Sequence, residues 1–223
     1  VTIGPEHHTA TTVVLGSASP ARLRVLTGAG LWPTVVVSDV DEDALLERLA
    51  DAPHEQIVTR LAEAKADAVT GAVLAAGGST AADAVVLTCD SMLLIGGELA
   101  GKPHTVDVAV ARWKQMRGGT GHLITGHCVR RVVGGAVVAS TSRSESTAIR
   151  FSDAPDHVID AYAATGEPLE VAGAFTLDGL GGWLIDGVDG DPSSVLGISL
   201  PLVRRLLAEV GVDVTELWRG APG

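Results

Sequence analysis

The chain has 223 residues and a formal net charge of −11, which suits one large domain or two small ones. A surface this acidic argues against a nucleic-acid backbone or an anionic membrane as partner, because binding to either rests on Lys and Arg. A small anion stays possible, since charges farther apart than a Debye length of roughly 8 Å barely feel one another.

Residues 1–11 are polar and are expected to be a loose segment. Thr12–Leu15 reads as a short buried strand. SASP breaks it, and Ala21–Ala29 follows as a helix with Ser19 as N-cap and Pro20 at the first helical position. Val35–Val37 is a second strand, followed by the acidic patch SDVDED. A helix opens at Pro53–His54 and is expected to reach about Val69. TGAVLAAGGSTAADA reads as a loop, and Val85–Ile95 as a strongly apolar strand. Thr105 caps a helix running to about Met116. Three strands are then expected as a meander, His122–Val129, Val132–Ser140 and Ser144–Phe151. A helix follows over Pro155–Thr165, then two strands around a tight turn in GAFTLDGLGGWLIDGVDGD. Ser199 and Pro201 open the last helix, LPLVRRLLAEVG. Strands mixed with helices, without regular βαβ repetition, predict an α/β fold with a mixed sheet. Nearly half the residues are hydrophobic and few are aromatic, so its core must be built from Val, Leu, Ile and Ala.

Neither Cys89 nor Cys128 belongs to a C-x-x-C pair, and both read as reduced, buried thiols of a cytosolic protein. The N-terminal stretch lacks a basic region followed by an apolar one, and no run approaches the ~20 apolar residues of a membrane span. A cytoplasmic location is expected.

Several residues interrupt the apolar pattern. In SASPARLRVL, Ser17, Ser19 and the free N–H groups of a helix start form an anion site that Arg22 can close, although plain capping explains the same residues. Lys65 stands in the apolar stripe of its helix, between Leu61 and Val69. Burying an unpaired ammonium costs several kcal/mol or more, so Lys65 has either an anionic partner or a path to solvent. Asp90 interrupts VVLTCDSMLLI and either caps a turn or faces a polar cleft. Glu42, in the acidic patch, can join it as a hard oxygen ligand for Mg²⁺. His122 and His127 lie five apart in one strand, so they point to opposite faces and do not share a metal. GSASP lacks the last glycine of a nucleophile elbow, and no G-x-G-x-x-G follows a strand at the required spacing. GGELAGKPHT approaches a phosphate-binding loop, but Pro103 stands where Ser or Thr would hold the metal, and it has no N–H for a phosphate. What remains there is Lys102, presented at a turn.

Seven short blocks occur in a fixed order: SASPARLRVL, DVDED, LAEAKA, CDSMLLIGGELAGKP, HLITG, EPLEVAGAFTLDGLGG and VLGISLPL. That order, from about Val13 to Leu207, resembles the Maf family of nucleoside triphosphate pyrophosphatases, also called septum formation inhibitors, in the wording of its actinobacterial members. The resemblance implies one domain over residues 12–219, with an elongated, curved mixed sheet flanked by helices, like inosine triphosphatase, and a cleft between two lobes. It implies hydrolysis of a nucleoside triphosphate to the monophosphate and pyrophosphate with a divalent metal, Mg²⁺ or Mn²⁺, and a homodimer. The family's catalytic carboxylate falls on Asp90, which either takes a proton from water or holds the metal. The remaining site positions fall on Ser17, Ser19, Arg22, Glu42, Lys65 and Lys102. Pyrimidine-selective members carry arginine at the place of Ala21 and glutamine at the place of Asp178. Members acting on 7-methyl-GTP carry tryptophan and glutamate there. This chain matches neither pair, which leaves pyrimidine triphosphates such as dTTP or UTP, and modified nucleotides, as open substrates, with Asp178 beside the base. A non-catalytic regulator of septum formation and a purine pyrophosphatase acting on ITP or XTP are the competing readings.

Overall fold

The computed structural model describes residues 11–219. The loose segment expected at 1–11 therefore lies, apart from Thr11, outside the described residues. One mixed sheet has the order β2 (Thr34–Val35), β1 (Thr12–Leu15), β3 (Asp83–Ile95), β5 (Thr120–Val133), β6 (Ala136–Phe151) and β7 (Ile185–Asp189), with β4 (Glu98–Ala100) paired to the far end of β3. β1 runs parallel to β2 and β3, and every other pair is antiparallel. Register shifts at Arg131/Val132 and Arg150/Phe151 bend the long strands into a curved sheet. The α/β fold expected from the sequence is thus the one observed.

Nine helices accompany the sheet among the described residues: α1 (Pro20–Gly28), α2 (Glu42–Arg48), α3 (His54–Ala76), α4 (Gly78–Ala82), α5 (Val106–Met116), α6 (Asp156–Ala164), α7 (Pro192–Val195), α8 (Leu200–Glu209) and α9 (Val214–Leu217). Alternation along β3 sorts them onto two faces. Val85, Leu87 and Cys89 point toward α1, α8 and α9 in one apolar cluster. Leu93, farther along the same face, joins Trp113, Phe151, Ile159 and Phe175 in a second cluster with α5 and α6. These clusters are the two lobes. Ala84, Val86 and Met92 face the other way, onto α3 and α2. Cys89 and Cys128 are both buried and unbridged, and they face opposite sides of the sheet. Among the described residues no helix is long and apolar enough to cross a membrane.

Five local expectations need correction. α3 does not stop near Val69. It runs to Ala76, because alanine favours helix and Val73 is buried against Val14 and Val86, and Gly77 and Gly78, both at positive φ, end it. TGAVLAAGGSTAADA is not a loop but the end of α3, α4 and the start of β3, and the acidic patch SDVDED opens a helix too: Asp41 accepts from the Ala44 N–H at 3.0 Å and starts α2, in which Leu45 and Leu46 pack inward. The three strands expected between His122 and Phe151 are two, since the only turn residues are Gly134 and Gly135, at φ 59° and 79°. The glycine-rich segment forms only one strand, β7, preceded by 3-10 turns at Ala172–Ala174 and Leu180–Leu184 that follow a further one at Glu167–Glu170. There the Glu167 carboxylate takes the backbone N–H groups of Leu180 and Gly181, which a second strand would have needed for a ladder.

Two features of the sheet edges matter below. β1 pairs with β3 as far as Leu87, and β4 pairs with it from Leu93. Residues 88–92 of β3 therefore face a gap in the sheet on that side. On the far side, β7 covers only the Ala148–Phe151 end of β6, so residues 136–147 form an open edge.

Candidate active site

The gap beside β3 is where the candidate residues converge. Alternation sends Asp90 to the α3 face and Ser91 to the opposite one. On the α3 face, Lys65 Nζ lies 2.6 Å from Asp90 Oδ1 and 3.0 Å from Glu42 Oε1. Lys65 is 9% exposed and Asp90 7%, while Glu42, at the start of α2, is at the solvent end. The lysine in the apolar stripe therefore has the anionic partner that burial demands.

A backbone contact sets the height of α3 over the strand. Asp90 is in register with Gly126 of β5, and a Cβ at Gly126 would meet the Val58 carbonyl oxygen at 2.1 Å and the Thr59 nitrogen at 2.6 Å. Only glycine allows helix and strand backbones to approach this closely. Thr88 reinforces the contact by donating to the Ala62 carbonyl at 2.7 Å.

On the opposite face, the loop after β1 meets the start of α1. The Ser19 hydroxyl caps the helix, accepting from the Arg22 N–H at 3.4 Å, and Ser17 Oγ accepts from the Ser19 N–H at 3.2 Å. Arg22, expected to close the anion site, is held in one position. Its guanidinium is folded inward and donates to Ser17 Oγ (3.0 Å), the Cys89 carbonyl (2.9 Å), Ser91 Oγ (3.1 Å) and the Gly197 carbonyl (2.8 Å). Four of the five N–H groups a guanidinium carries are thereby used, all on neutral acceptors. Among the described residues no carboxylate pairs with Arg22, so its charge is fixed in place without a counter-ion. The Cys89 carbonyl it binds belongs to the strand edge that neither β1 nor β4 covers.

Ser91 Oγ also lies 3.0 Å from Thr125 Oγ1. His127, 1% exposed, follows two residues later on the same face. Its Nδ1 lies 3.0 Å from the Thr125 carbonyl, and its Nε2 accepts the Ser199 N–H at 2.8 Å. Nε2 is therefore the unprotonated nitrogen and Nδ1–H the donor. Burial, and then the Arg22 charge, pull its pKa down to about 4, so the ring is neutral near pH 7. The expected opposite orientation of His122 holds, since it is in register with Leu94 on the α3 face, whereas His127 is opposite Cys89.

Two sequence candidates stand apart. Lys102, two residues beyond β4, is on the far rim of the gap, with Glu170 at 3.8 Å, and both side chains are more than half exposed. Asp178 is exposed and paired with Arg24 of α1 at 2.9 Å, which ties the glycine-rich segment of one lobe to the first helix of the other. Ser91, Thr125 and His127 had no place among the sequence candidates. The available signal was a run of polar side chains in otherwise buried strands. A surface depression of about 470 Å³ between α3 and β6 is lined by Glu63, Ser142, Arg60 and Arg143, but both arginines already face carboxylates.

The donor set admits a cation. Two carboxylates of different elements converge on one positive centre, the Lys65 ammonium, and such hard oxygen donors suit Mg²⁺ or Mn²⁺. Among the described residues no third His, Cys, Asp or Glu joins them, so water and ligand oxygens would complete a coordination shell.

The model of one protein family, described as Maf-like protein, matches residues 12–210. The chain is 60% identical over 209 residues to a nucleoside triphosphate pyrophosphatase of Rhodococcus jostii, covering 93% of this chain and 96% of that one. It is 57% identical over 209 residues to the protein of that name in Nocardia farcinica, at 93% and 97% coverage. The corresponding figure for Saccharopolyspora erythraea is 58% over 206 residues, at 92% and 96%.

Proposed function

Because the chain belongs to the Maf-like protein family, we propose that it is a hydrolase of acid anhydrides that cleaves a nucleoside triphosphate into the monophosphate and pyrophosphate. The observation that carries this reading is the pairing of two unlike charge groups around one gap in the sheet. A carboxylate held by an ammonium stands on one face, and an unpaired guanidinium stands on the other. A triphosphate has about four negative charges, and the leaving pyrophosphate needs them offset as the bond to the α-phosphorus breaks. Arg22 and Lys65 meet them from fixed positions, and Lys102 reaches in from the rim. Ser17, Ser19 and the α1 N-terminus offer hydrogen bonds to phosphate oxygens. Glu42 and Asp90 would hold the divalent cation, which when bound adds charge neutralisation and makes water more acidic.

Water attacks the α-phosphorus, and the bridging oxygen leaves with the pyrophosphate. Asp90 Oδ1 is held by Lys65, and Oδ2 takes the proton of the attacking water. Asp178, paired with Arg24 across the lobes, is the residue proposed to meet the base and set the preference. A pyrimidine or modified nucleotide is the proposed substrate, and removal of modified nucleotides before incorporation the proposed purpose. A cytoplasmic setting, a homodimer and a part in arresting cell division belong to the same reading.

The test is pyrophosphate release across canonical and modified triphosphates with Mg²⁺ and Mn²⁺. Release from none would leave the non-catalytic division regulator, and release mainly from ITP or XTP the purine enzyme. Asp90→Asn should remove most turnover and keep nucleotide binding. Near-normal turnover in that variant would sink the assignment.

A further inference from the structure

Arg22 is held by four hydrogen bonds, and two of the acceptors lead back to one buried ring. The Gly197 carbonyl, bound by Arg22 Nε, is two residues before Ser199, whose N–H ends on His127 Nε2. The Ser91 hydroxyl, bound by an Arg22 terminal nitrogen, touches Thr125, whose carbonyl meets His127 Nδ1. Ser199 also caps α8, accepting from the Leu202 N–H at 3.1 Å, so the ring fixes where that helix begins. We propose that His127 is a positioning residue. Its neutral imidazole braces the Gly197–Ser199 turn and the Ser91–Thr125 pair, and through them holds the Arg22 guanidinium at the phosphate-facing edge of the gap.

The geometry favours this role over simple filling of space. A leucine has nearly the volume of imidazole and would suit a strand flanked by Ile124 and Val129, but it would strand the Ser199 N–H at full burial. A ring with one donor and one acceptor on opposite sides meets two separate supports of the same cation. A small shift of a charge aimed at a transition state lowers rate steeply, up to roughly 100-fold for 1 Å.

The inference rests on the hydrolase reading for its kinetic consequence but not for its structural one. Two variants separate the contacts. His127→Gln places an amide oxygen near Nε2 and keeps an acceptor for Ser199. His127→Asn reaches only as far as Nδ1 and loses it. Far-UV circular dichroism and thermal melting establish that both fold. In ¹⁵N-edited NMR, the Arg22 Nε–H should exchange slowly in the native chain and in His127→Gln, and fast in His127→Asn. In parallel, His127→Asn should lower kcat/KM by roughly 10–100-fold, and His127→Gln should restore most of it. His127→Asn combined with Arg22→Ala should be no worse than Arg22→Ala alone. Equal effects of the two His127 variants, or losses that multiply in the double variant, would overturn the proposal. If the native chain releases no pyrophosphate, the hydrolase reading fails, and the NMR comparison still decides the role of His127.

Discussion

Lys65 is the side chain whose environment says most about the site. An ammonium at 9% exposure between two carboxylates is a buried ion pair with one wet end. Such pairs are weak stabilisers when complete, but removing one partner leaves an uncompensated buried charge, at a cost of about 3–5 kcal/mol. Lys65→Met should therefore lower the urea midpoint sharply, and adding Asp90→Asn to it should recover part of the loss. Recovery is the informative outcome, because a general packing defect would not be relieved by a second substitution. His127 gives a prediction in pH. Burial and Arg22 lower its pKa to about 4, opposed by the Thr125 carbonyl and Asp191, whereas the unfolded ring titrates near 6.5. Between those values the unfolded chain binds the extra proton. The stabilisation is complete above about pH 6.5 and is lost as pH falls toward 4, on the order of 3 kcal/mol in all. Denaturation at pH 7 and pH 5 should show the loss in the native chain and a smaller one in His127→Gln. Asp90 and Lys65 were readable because each breaks an apolar run that cannot tolerate a lone charge. Lys102 was readable only as a lysine left over from a failed phosphate-binding loop, and Asp178 came from resemblance alone. His127 was weighed only as a metal ligand, because a polar residue in a strand becomes meaningful only when its cross-strand and cross-lobe neighbours are known.

The relation between α3 and β5 converts helix position into site geometry. Gly126 is beside Asp90, and the helix backbone rests on it at Val58 and Thr59, two turns before Lys65. Gly126→Ala adds one methyl where backbone atoms would stand 2.1–2.6 Å away, with no side chain to yield. The helix must lift, so the 2.6 Å Lys65–Asp90 contact should lengthen. Turnover should fall by roughly 10–100-fold while stability drops by about 1–3 kcal/mol. Kinetics beside a melting curve would check both, and unchanged turnover would show that α3 does not set the site. The order and type of the principal elements were legible, because periodicity and caps at Ser19, Thr105 and Ser199 carry local information. The misread segments were those decided by distant groups. Val73 packing against β1 and β3 extends α3, and Glu167 binding across to Gly181 replaces a strand with turns.

The long strands β3, β5 and β6 serve both lobes, so the gap between β1 and β4 opens where the two apolar clusters divide. The position of the gap follows from strand lengths, which no motif encodes. That is why the seven blocks indicated a family more readily than a geometry. The uncovered stretch of β6, residues 136–147, has a consequence for the protein in concentrated solution. It contains no proline and no lysine, the usual devices that stop an exposed strand from pairing with another. Its two charged side chains, Arg143 and Glu145, are tied to Glu209 and Arg205, so the guard expected there is repulsion between chains of charge −11. Salt weakens that guard, shortening the screening length from about 8 Å at physiological strength to about 3 Å at 1 M. Light scattering at rising ionic strength should show self-attraction increasing, against the salting-in expected of an acidic protein with closed edges. Arg143→Pro, placed on that edge, should flatten the response.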